Sequence, residues 1–345
     1  MESLVGGLMA GVRFGIAAPT ATEGMMYPVP FADPEQAVEL AVRAEAFGFE
    51  SVWANDHVTT QRYVRSEFED APRFYDPLGY LAFVAAKTER LRLATGVLVM
   101  AFRHPVVVAK QLATLDQLSG GRVVAGVGIG AYREEFEAMW PGRRVHRGEH
   151  AEEILEALQL LFTERRASFA GKYVAFEDVE SFPKPMQDPL PVLSGGNSTG
   201  ARHRAARWGH GWLPACLTPA EYASGIAEIE SVAAEAGREL PGEFESCLQL
   251  AVSVAANTGG AKARFEESQV YAHLRSLSSS TMRGRLDDDL AMRNLIGSVE
   301  QVRDRVGRYR EAGVDTFAGL LFATNTPEAT IEEMERFSED IMGGV

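Results

Sequence analysis

Short apolar segments alternate with longer amphipathic ones along this chain, and the alternation limits the folds it can adopt. Eight segments are predicted to be β-strands, each followed by helical sequence; they cover residues 13–18, 51–53, 91–100, 122–128, 189–194, 211–214, 248–256 and 316–322. Strands with little polar alternation are typical of a parallel sheet covered by helices. Eight such units predict an α/β protein with a (β/α)8 (TIM) barrel, and an open doubly wound sheet fits this number less well.

Two stretches in the second half interrupt this rhythm and are predicted to be insertions, at about 163–190 and 257–293. The first looks like a hairpin or a long loop. The second is rich in Ser, Arg and Asp and lies where a barrel would place its seventh βα loop. Such loops either decorate the surface or shape an active site, and the sequence leaves both open. We expect residues 1–345 to form a single barrel domain.

Charge and cysteine content exclude several classes of protein. The chain has 34 Lys and Arg against 48 Asp and Glu, a formal charge of −14, which disfavours nucleic acid and anionic membranes as partners but allows a local basic pocket for a phosphate. Cys216 and Cys247 form no CxxC or Cys/His cluster, so buried thiols and no metal site are expected. The N-terminus lacks a basic n-region and no apolar run approaches about 18 residues, so we expect a cytoplasmic protein without a membrane span.

The residues after strand two are the first candidates for chemistry, because barrel enzymes work at the C-terminal ends of their strands. Asp56 and His57 occupy this position. Histidine titrates near neutral pH, so His57 is predicted to be a proton donor or a substrate contact, with Asp56 orienting it or raising its pKa. The alternative is a histidine that fixes a loop through hydrogen bonds.

Glycines in strands three and four are the second feature. Gly96, between Thr95 and Val97, indicates a bulge or a close approach of backbone to a ligand. Strand four ends with Gly126, Gly128 and Gly130, and their alternation is expected to clear space against something flat. The spacing does not match a Rossmann fingerprint.

A glycine turn after strand five is the third feature. Gly195, Gly196, Asn197 and Ser198 lead directly into a helix. Backbone N–H groups of such a turn, together with a helix N-terminus, make a phosphate site. An ordinary N-cap by Asn197 or Ser198 is the alternative, and the two are compatible.

Aromatic side chains supply candidates for a substrate pocket. Tyr132 and Trp140 are predicted to line an apolar pocket. Trp53 and Trp212 lie within predicted strands, so packing in the core is favoured for them.

Together these motifs resemble the bacterial-luciferase-like family of oxidoreductases. The resemblance runs from Arg13 to about Phe322 and rests on several segments: 95–97, 103–105, 109–111, 119–122, 126–130, 133–136, 183–185, 195–198, 208–212, 298–302 and 312–315. It implies a barrel that binds reduced FMN or the deazaflavin F420 at its C-terminal face. The ring would rest against strand three, with a non-proline cis peptide near Thr95-Gly96-Val97, and the phosphate would lie at Gly195 to Ser198. His57 would lie near the reactive ring atoms.

The resemblance implies three possible functions. The first is a monooxygenase that uses reduced FMN and O2 on a small organic substrate, and it is favoured because the acid that some deazaflavin sugar dehydrogenases carry after the strand-four glycines is replaced by Ala131. The second is an F420-dependent dehydrogenase or reductase with His57 as acid or base. The third is a non-catalytic flavin-binding relative. Expected partners are the small-molecule substrate, a separate flavin or F420 reductase, and further copies of the chain in a homodimer or higher homo-oligomer.

Overall fold

Eight parallel strands close into a barrel in the computed structural model, which describes residues 11–142, 145–277 and 290–344. The strands are β1 (Arg13–Ala17), β2 (Ser51–Ala54), β3 (Arg92–Thr95), β4 (Leu98–Val99), β5 (Val123–Gly128), β6 (Ala167–Ala170), β7 (Ala175–Val179), β8 (Val192–Gly195), β9 (Gly211–Leu213), β10 (Glu245–Leu248), β11 (Ala251–Val254), β12 (Leu295–Gly297) and β13 (Thr316–Phe322). The barrel follows the order β1-β2-β3-β5-β8-β9-β10-β13, and β13 pairs with β1. The predicted (β/α)8 barrel is confirmed.

Helices connect and cover the strands. They are α1 (Pro34–Ala46), α2 (Arg62–Glu67), α3 (Pro77–Ala85), α4 (Pro105–Ser119), α5 (Arg133–Met139), α6 (Arg147–Thr163), α7 (Thr199–Trp208), α8 (Pro219–Glu235), α9 (Thr258–Glu266), α10 (Gln269–Ser276), α11 (Val299–Glu311) and α12 (Pro327–Asp340). Polar N-caps begin many of them; the Asp33 carboxylate, for example, accepts a hydrogen bond from the Gln36 N–H and closes a capping box. These caps fix where each βα loop ends and its helix begins.

The interior of the barrel is filled by one buried side chain from each of seven strands. These side chains form a cluster of their own, and they are Trp53, Ala94, Val124, Leu193, Leu213, Cys247 and Ala318. Side chains from so many successive strands meet only on the inner face, as in other TIM barrels. Trp212 is fully buried and belongs to the larger hydrophobic cluster of the core. The predicted core packing of Trp53 and Trp212 is therefore confirmed. Cys216 and Cys247 are buried free thiols, also as predicted.

The predicted seventh strand, 248–256, is two short strands in the structure. β10 pairs with the start of β13, where Leu248 faces Phe317, whereas β11 pairs with its end, where Ala251 faces Leu321. Ala251 comes three positions after Leu248, but its partner Leu321 comes four positions after Phe317, so β13 carries an extra residue. Gly319 lies there with φ +58°, a left-handed conformation that glycine adopts readily and that occurs in one type of bulge. An apolar run does not reveal such a register shift, so the prediction placed one long strand.

The two predicted insertions differ in structure. Residues 163–190 contain the antiparallel hairpin β6–β7. Residues 257–293 contain α9 and α10, followed by residues 278–289, which lie outside the described residues. The hairpin is a separate two-stranded sheet, whereas α10 lies at the C-terminal face of the barrel.

Candidate active site

A cavity of about 470 Å³ lies at the C-terminal ends of the barrel strands. Ten of the predicted site residues line it, and they are Asp56, His57, Gly96, Val97, Gly128, Tyr132, Gly195, Gly196, Asn197 and Ser198. Two others, Thr95 and Trp140, are not part of its lining. The sequence motifs from four different strands therefore converge on one place.

His57 is held by a buried carboxylate that the sequence analysis did not identify. Its Nδ1 atom lies 3.0 Å and 3.1 Å from the two carboxylate oxygens of Glu135, and the Glu135 side chain is fully enclosed. Glu135 also accepts a hydrogen bond from the Val58 N–H, and the side-chain amide of Gln61 lies 3.1 Å from the same ring nitrogen. In the part of the chain that the structure describes, the His57 Nε2 atom has no hydrogen bond, so it is the nitrogen available to a ligand in the cavity.

Glu135 supplies an acid close to the end of β5, at a position that the sequence analysis did not consider. The residue directly after Gly130, the last of the three glycines at the end of β5, is Ala131, which has no carboxylate. Glu135 comes four residues later, in the first turn of α5, which turns its side chain inward. The signal was the adjacent pair Glu134 and Glu135; Glu134 accepts the Arg62 N–H instead.

Asp56 does not orient His57, which corrects the expectation from their adjacency. Its carboxylate accepts hydrogen bonds from the Val99 N–H, at 2.8 Å, and from the guanidinium of Arg103. Although burial opposes it, Asp56 raises the pKa of Arg103 through its hydrogen bond and its charge. Neighbouring residues on an extended chain point to opposite sides, so Asp56 anchors β4 while His57 turns toward Glu135.

The Val97 side chain forms a wedge between the ends of β5 and β8. A Cβ atom at Gly195 would lie 2.3 Å from one Val97 methyl group, and a Cβ atom at Gly128 would lie 2.6 Å from the other. The peptide between Gly96 and Val97 is cis, at the position that the resemblance implied. The glycines therefore admit the Val97 side chain, and the surface they build together lines the cavity.

Gly126, in β5, and Gly130, just after it, make room for the neighbouring chain segment and not directly for a ligand. A Cβ at Gly126 would lie 2.1 Å from the Thr95 carbonyl oxygen, and one at Gly130 would lie 3.0 Å from a Val99 methyl. The Thr95 hydroxyl donates to the Gly126 carbonyl at 2.8 Å, so this side chain joins two strands outside the cavity. The predicted flat space is thus partly occupied by the protein itself.

The turn from Gly195 to Ser198 is fixed by its neighbours. Gly196 has φ +114° and donates its N–H to the Leu213 carbonyl, while the Trp212 indole N–H donates to the Gly196 carbonyl at 2.9 Å. The Asn197 amide pairs with both backbone groups of Ala215. Ser198 caps α7, so the ordinary N-cap is present, and the turn also lines the cavity.

Two guanidinium groups give this end of the cavity a positive charge. The Arg204 side chain is only 7% exposed, and its contact with Glu152 is long, at 3.5 Å. Arg147 donates to the Gly130 carbonyl at 2.7 Å and also lines the cavity. A buried cation with one weak anionic partner, beside a helix N-terminus, fits a phosphate group.

Aromatic side chains beside His57 form another part of this site, which comes partly from the second insertion. The Tyr132 ring lies 5.7 Å from the His57 ring and 6.1 Å from the Tyr63 ring. The Tyr63 hydroxyl lies 3.2 Å from Nδ1 of His273 on α10, and His273 and Leu274 line the cavity. Of the two roles left open for this insertion, the described part therefore shapes the site.

Trp140 packs away from the cavity, contrary to the prediction. Its indole N–H donates to the Ala101 carbonyl at 2.8 Å, and its ring packs on a small cluster that contains Phe102 and Phe136. It follows the last residue of α5, so the ring closes that helix against the loop after β4. Aromatic character alone does not reveal this direction.

The described residues contain no group of three His, Cys, Asp or Glu side chains placed to hold a metal ion. None of the helices in these residues has the length and apolar character needed to cross a bilayer.

Comparison with known proteins gives consistent matches. The sequence profile of a family described as luciferase-like monooxygenase matches residues 12–316. An F420-dependent glucose-6-phosphate dehydrogenase of Nakamurella multipartita is 30% identical over 70% of this chain and 68% of its own. A second one, of Kineococcus radiotolerans, is 33% identical, but the match spans only 52% of each chain.

Solved structures share the fold at lower identity. A monooxygenase from Streptomyces bottropensis superposes with a TM-score of 0.77 at 24% identity, covering 96% of this chain and 99% of the other. An F420-dependent secondary alcohol dehydrogenase superposes with a TM-score of 0.75 at 20% identity, covering 96% and 98%. With the profile match spanning most of the sequence, this barrel belongs to the luciferase-like family of oxidoreductases.

Proposed function

We propose that this chain is an F420-dependent oxidoreductase that moves a hydride between the deazaflavin and a small organic substrate. The observation that carries the proposal is the pair formed by His57 and Glu135. Hydride transfer at an alcohol or carbonyl carbon requires a proton to leave or reach the oxygen, and a positioned histidine is suited to that task.

His57 is arranged to handle that proton at Nε2. Glu135 binds Nδ1, so a proton on Nδ1 leaves Nε2 as a base for an alcohol, and a protonated ring offers Nε2 as an acid to a carbonyl. The buried carboxylate would stabilise the charged imidazolium after proton uptake. One pair of residues therefore serves either direction of the reaction.

The cavity residues fit a phosphorylated, flat cofactor. Gly96 and Val97 with Gly128 would support the ring, while Arg204 and the N-terminus of α7 would hold the phosphate. When bound, the deazaflavin supplies a ring carbon that accepts or donates a hydride. Reduced FMN also carries a ring and a phosphate, so the cradle alone does not choose between them.

Two considerations favour F420 over FMN. Three relatives of at least 30% identity are named as F420-dependent glucose-6-phosphate dehydrogenases. The preference for a monooxygenase depended on a missing acid at Ala131, and the position of Glu135 beside His57 removes that reason. The FMN monooxygenase remains the second candidate, because the family description and one close structural neighbour carry that name.

Cofactor binding and oxygen use would test the proposal. We expect the purified protein to bind F420 at least tenfold more tightly than FMN in fluorescence titrations, and to show no substrate-dependent O2 uptake with either reduced cofactor. Tight FMN binding with substrate-dependent O2 uptake would support the monooxygenase instead, and binding of either without turnover of any substrate would support a non-catalytic relative. The separate reductase and the homo-oligomeric state stay predictions that size-exclusion chromatography and reconstitution assays would address.

A further inference from the structure

We infer that the substrate is an uncharged alcohol or carbonyl compound, selected by a neutral wall beside His57, and that it is not a sugar phosphate. The neutral wall is the set of Tyr63, Tyr132, His273, Leu274 and Leu277. The inference rests on the proposed function for its chemistry, but it concerns a different part of the cavity from the cofactor cradle.

The wall stands next to the group that would transfer the proton. Tyr132 is the nearest member, with its ring 5.7 Å from that of His57. Tyr63 continues the wall, and its hydroxyl lies 3.2 Å from the His273 ring. Leu274 and Leu277 follow on or just beyond α10 and line the same cavity. A substrate within reach of His57 therefore lies beside Tyr132, His273 and the two leucines, while Tyr63 is outside the cavity lining and supports Tyr132 and His273.

The members of the wall carry no charge near neutral pH. Burial lowers the pKa of His273 to about 4, and the nearby His57 adds to the effect. Burial also raises the pKa of Tyr63 and of Tyr132 above the usual tyrosine range. The two leucines are apolar. The wall therefore offers hydroxyl and imidazole hydrogen bonds and apolar contact, but no counter-charge.

The cations of the cavity are already committed elsewhere. Among the described lining residues these are Arg147 and Arg204. Arg204 lies beside the start of α7, since a Cβ at Gly200 would be 3.4 Å from its guanidinium, and Arg147 donates to the Gly130 carbonyl. Cofactor phosphate and the glycine turn would use this end, which leaves no described cation for a second phosphate.

A substrate phosphate would also be opposed by the charge beneath His57. Glu135 is a fully enclosed carboxylate within hydrogen-bond distance of the ring. A dianion placed near it without a counter-charge loses its hydration and is repelled, which penalises binding strongly. A neutral alcohol or ketone loses little hydration and keeps a hydrogen bond to His57.

The reaction balances with such a substrate. In alcohol oxidation the carbinol C–H bond breaks with its electron pair and the hydride passes to the deazaflavin. The O–H bond breaks and its proton passes to Nε2 of His57, while the C=O bond forms. The reverse steps reduce a ketone. No further oxidant or reductant is needed.

The test measures ligand binding by calorimetry on the F420-loaded protein with three probes: cyclohexanone, glucose and glucose 6-phosphate. We expect cyclohexanone to bind, and glucose 6-phosphate to bind no more tightly than glucose. Tenfold tighter binding of glucose 6-phosphate than of the other two would overturn the inference, as would failure of cyclohexanone to bind. Because the readout is binding, repeating it with FMN-loaded protein separates failure of the wall from failure of the F420 proposal.

A designed charge provides the second arm. Leu274→Arg places a cation in the wall and should raise affinity for glucose 6-phosphate about tenfold while weakening cyclohexanone binding to a similar degree. Ala272→Arg adds the same charge to an exposed position of α10 and is the matched control. An equal effect of the two variants would contradict the assignment of the wall. If Leu274→Arg does not fold, the wild-type comparison still decides.

Discussion

The Nδ1 atom of His57 lies 3.0 Å from a carboxylate oxygen of Glu135, although 78 residues separate the two in the chain. His57 follows β2 and Glu135 lies in the first turn of the helix after β5, so the barrel brings together the ends of two strands that are not neighbours in its order. The pair is the chemical centre of the proposed function.

Glu135→Gln should lower kcat by about 10- to 100-fold while leaving cofactor affinity within about twofold. The amide keeps the shape but cannot stabilise a charged imidazolium, and acid–base assistance is commonly worth that much or more. Steady-state kinetics and a cofactor titration check both parts. Glu137→Gln is the control, because Glu137 is an exposed residue of the same helix that pairs with Arg62 and Arg133. Equal losses in the two variants would contradict the role of Glu135.

Gly195→Ala should destabilise the protein, and Val97→Ala should rescue part of the loss, because the Val127 carbonyl oxygen would still lie 3.1 Å from the added methyl. The added methyl would lie 2.3 Å from a Val97 methyl group, and such overpacking costs typically about 1–3 kcal/mol. Removing the two Val97 methyls leaves the nearest Val97 atom at 3.6 Å, an ordinary contact. Urea unfolding of the two single variants and the double variant measures this coupling. Additive losses would show that the wedge does not exist in solution.

Gly196→Ala should weaken cofactor binding by about tenfold or more. The added Cβ has room, but φ +114° is unfavourable for any side chain, so the turn that lines the cavity would move. Gly120→Ala is matched to it, because Gly120 also has positive φ and open space but ends α4 away from the cavity. Fluorescence titration of both variants compares them. A similar loss of affinity in Gly120→Ala would point to general strain.

Arg204→Gln should weaken cofactor binding by about 10- to 100-fold and reduce its dependence on salt. A hydrogen bond from a charged donor to a phosphate is worth about 1.5–3 kcal/mol. Titrations at several salt concentrations test both effects. Arg207→Gln, an exposed arginine one turn further along α7, should change neither. If the Arg204 variant binds as wild type does, the phosphate lies elsewhere.

Stability should fall as the pH drops from about 6.5 toward 4, and His273 should contribute to that fall. His273 stays neutral in the folded protein down to about pH 4, whereas in the unfolded chain it takes up a proton near pH 6.5. In this window the unfolded state binds the extra proton, so the free energy of unfolding decreases with falling pH, by at most about 1.4 kcal/mol per unit.

The check is the urea midpoint of His273→Gln between pH 4 and 7, which should depend less on pH than that of the wild type. His150 and His210, whose pKa values burial also lowers, remain in both proteins. His203→Gln, at a side chain that is 40% exposed, is the control for replacing a histidine by glutamine. An unaltered slope in His273→Gln would mean that His273 is accessible to protons.

Much of the fold was predictable because its signals are local. Apolar strands, polar helix caps and the glycine turn at Gly195 and Gly196 each lie within a few residues of one another, and their order defines a barrel. The same reasoning placed His57 at the working face. Gly319 marks a limit of prediction from local signals, because a single left-handed residue shifts the register of a strand without changing its apolar character.

The parts of the site that were missed depend on contacts between distant residues. Asp56 is paired with Arg103, 47 residues away, and Glu135 with His57, so adjacency in sequence suggested the wrong partner for His57. Trp140 could face either way until the end of α5 fixed its direction. No local pattern records these choices, since each is decided by which elements the barrel places side by side.

The two sides of the cavity come from different kinds of chain segment. Strand ends and tight turns build the cradle, in which an atom added to a glycine such as Gly195 would collide with Val97. Apart from Tyr132, which follows β5, the neutral wall comes from α2 and α10 and the residue after α10, and the contact between Tyr63 and His273 joins these two helices. A lineage with this arrangement can change substrates by altering α10 while its cofactor stays the same. Directed evolution limited to residues 258–276 should therefore yield new specificities without loss of cofactor affinity.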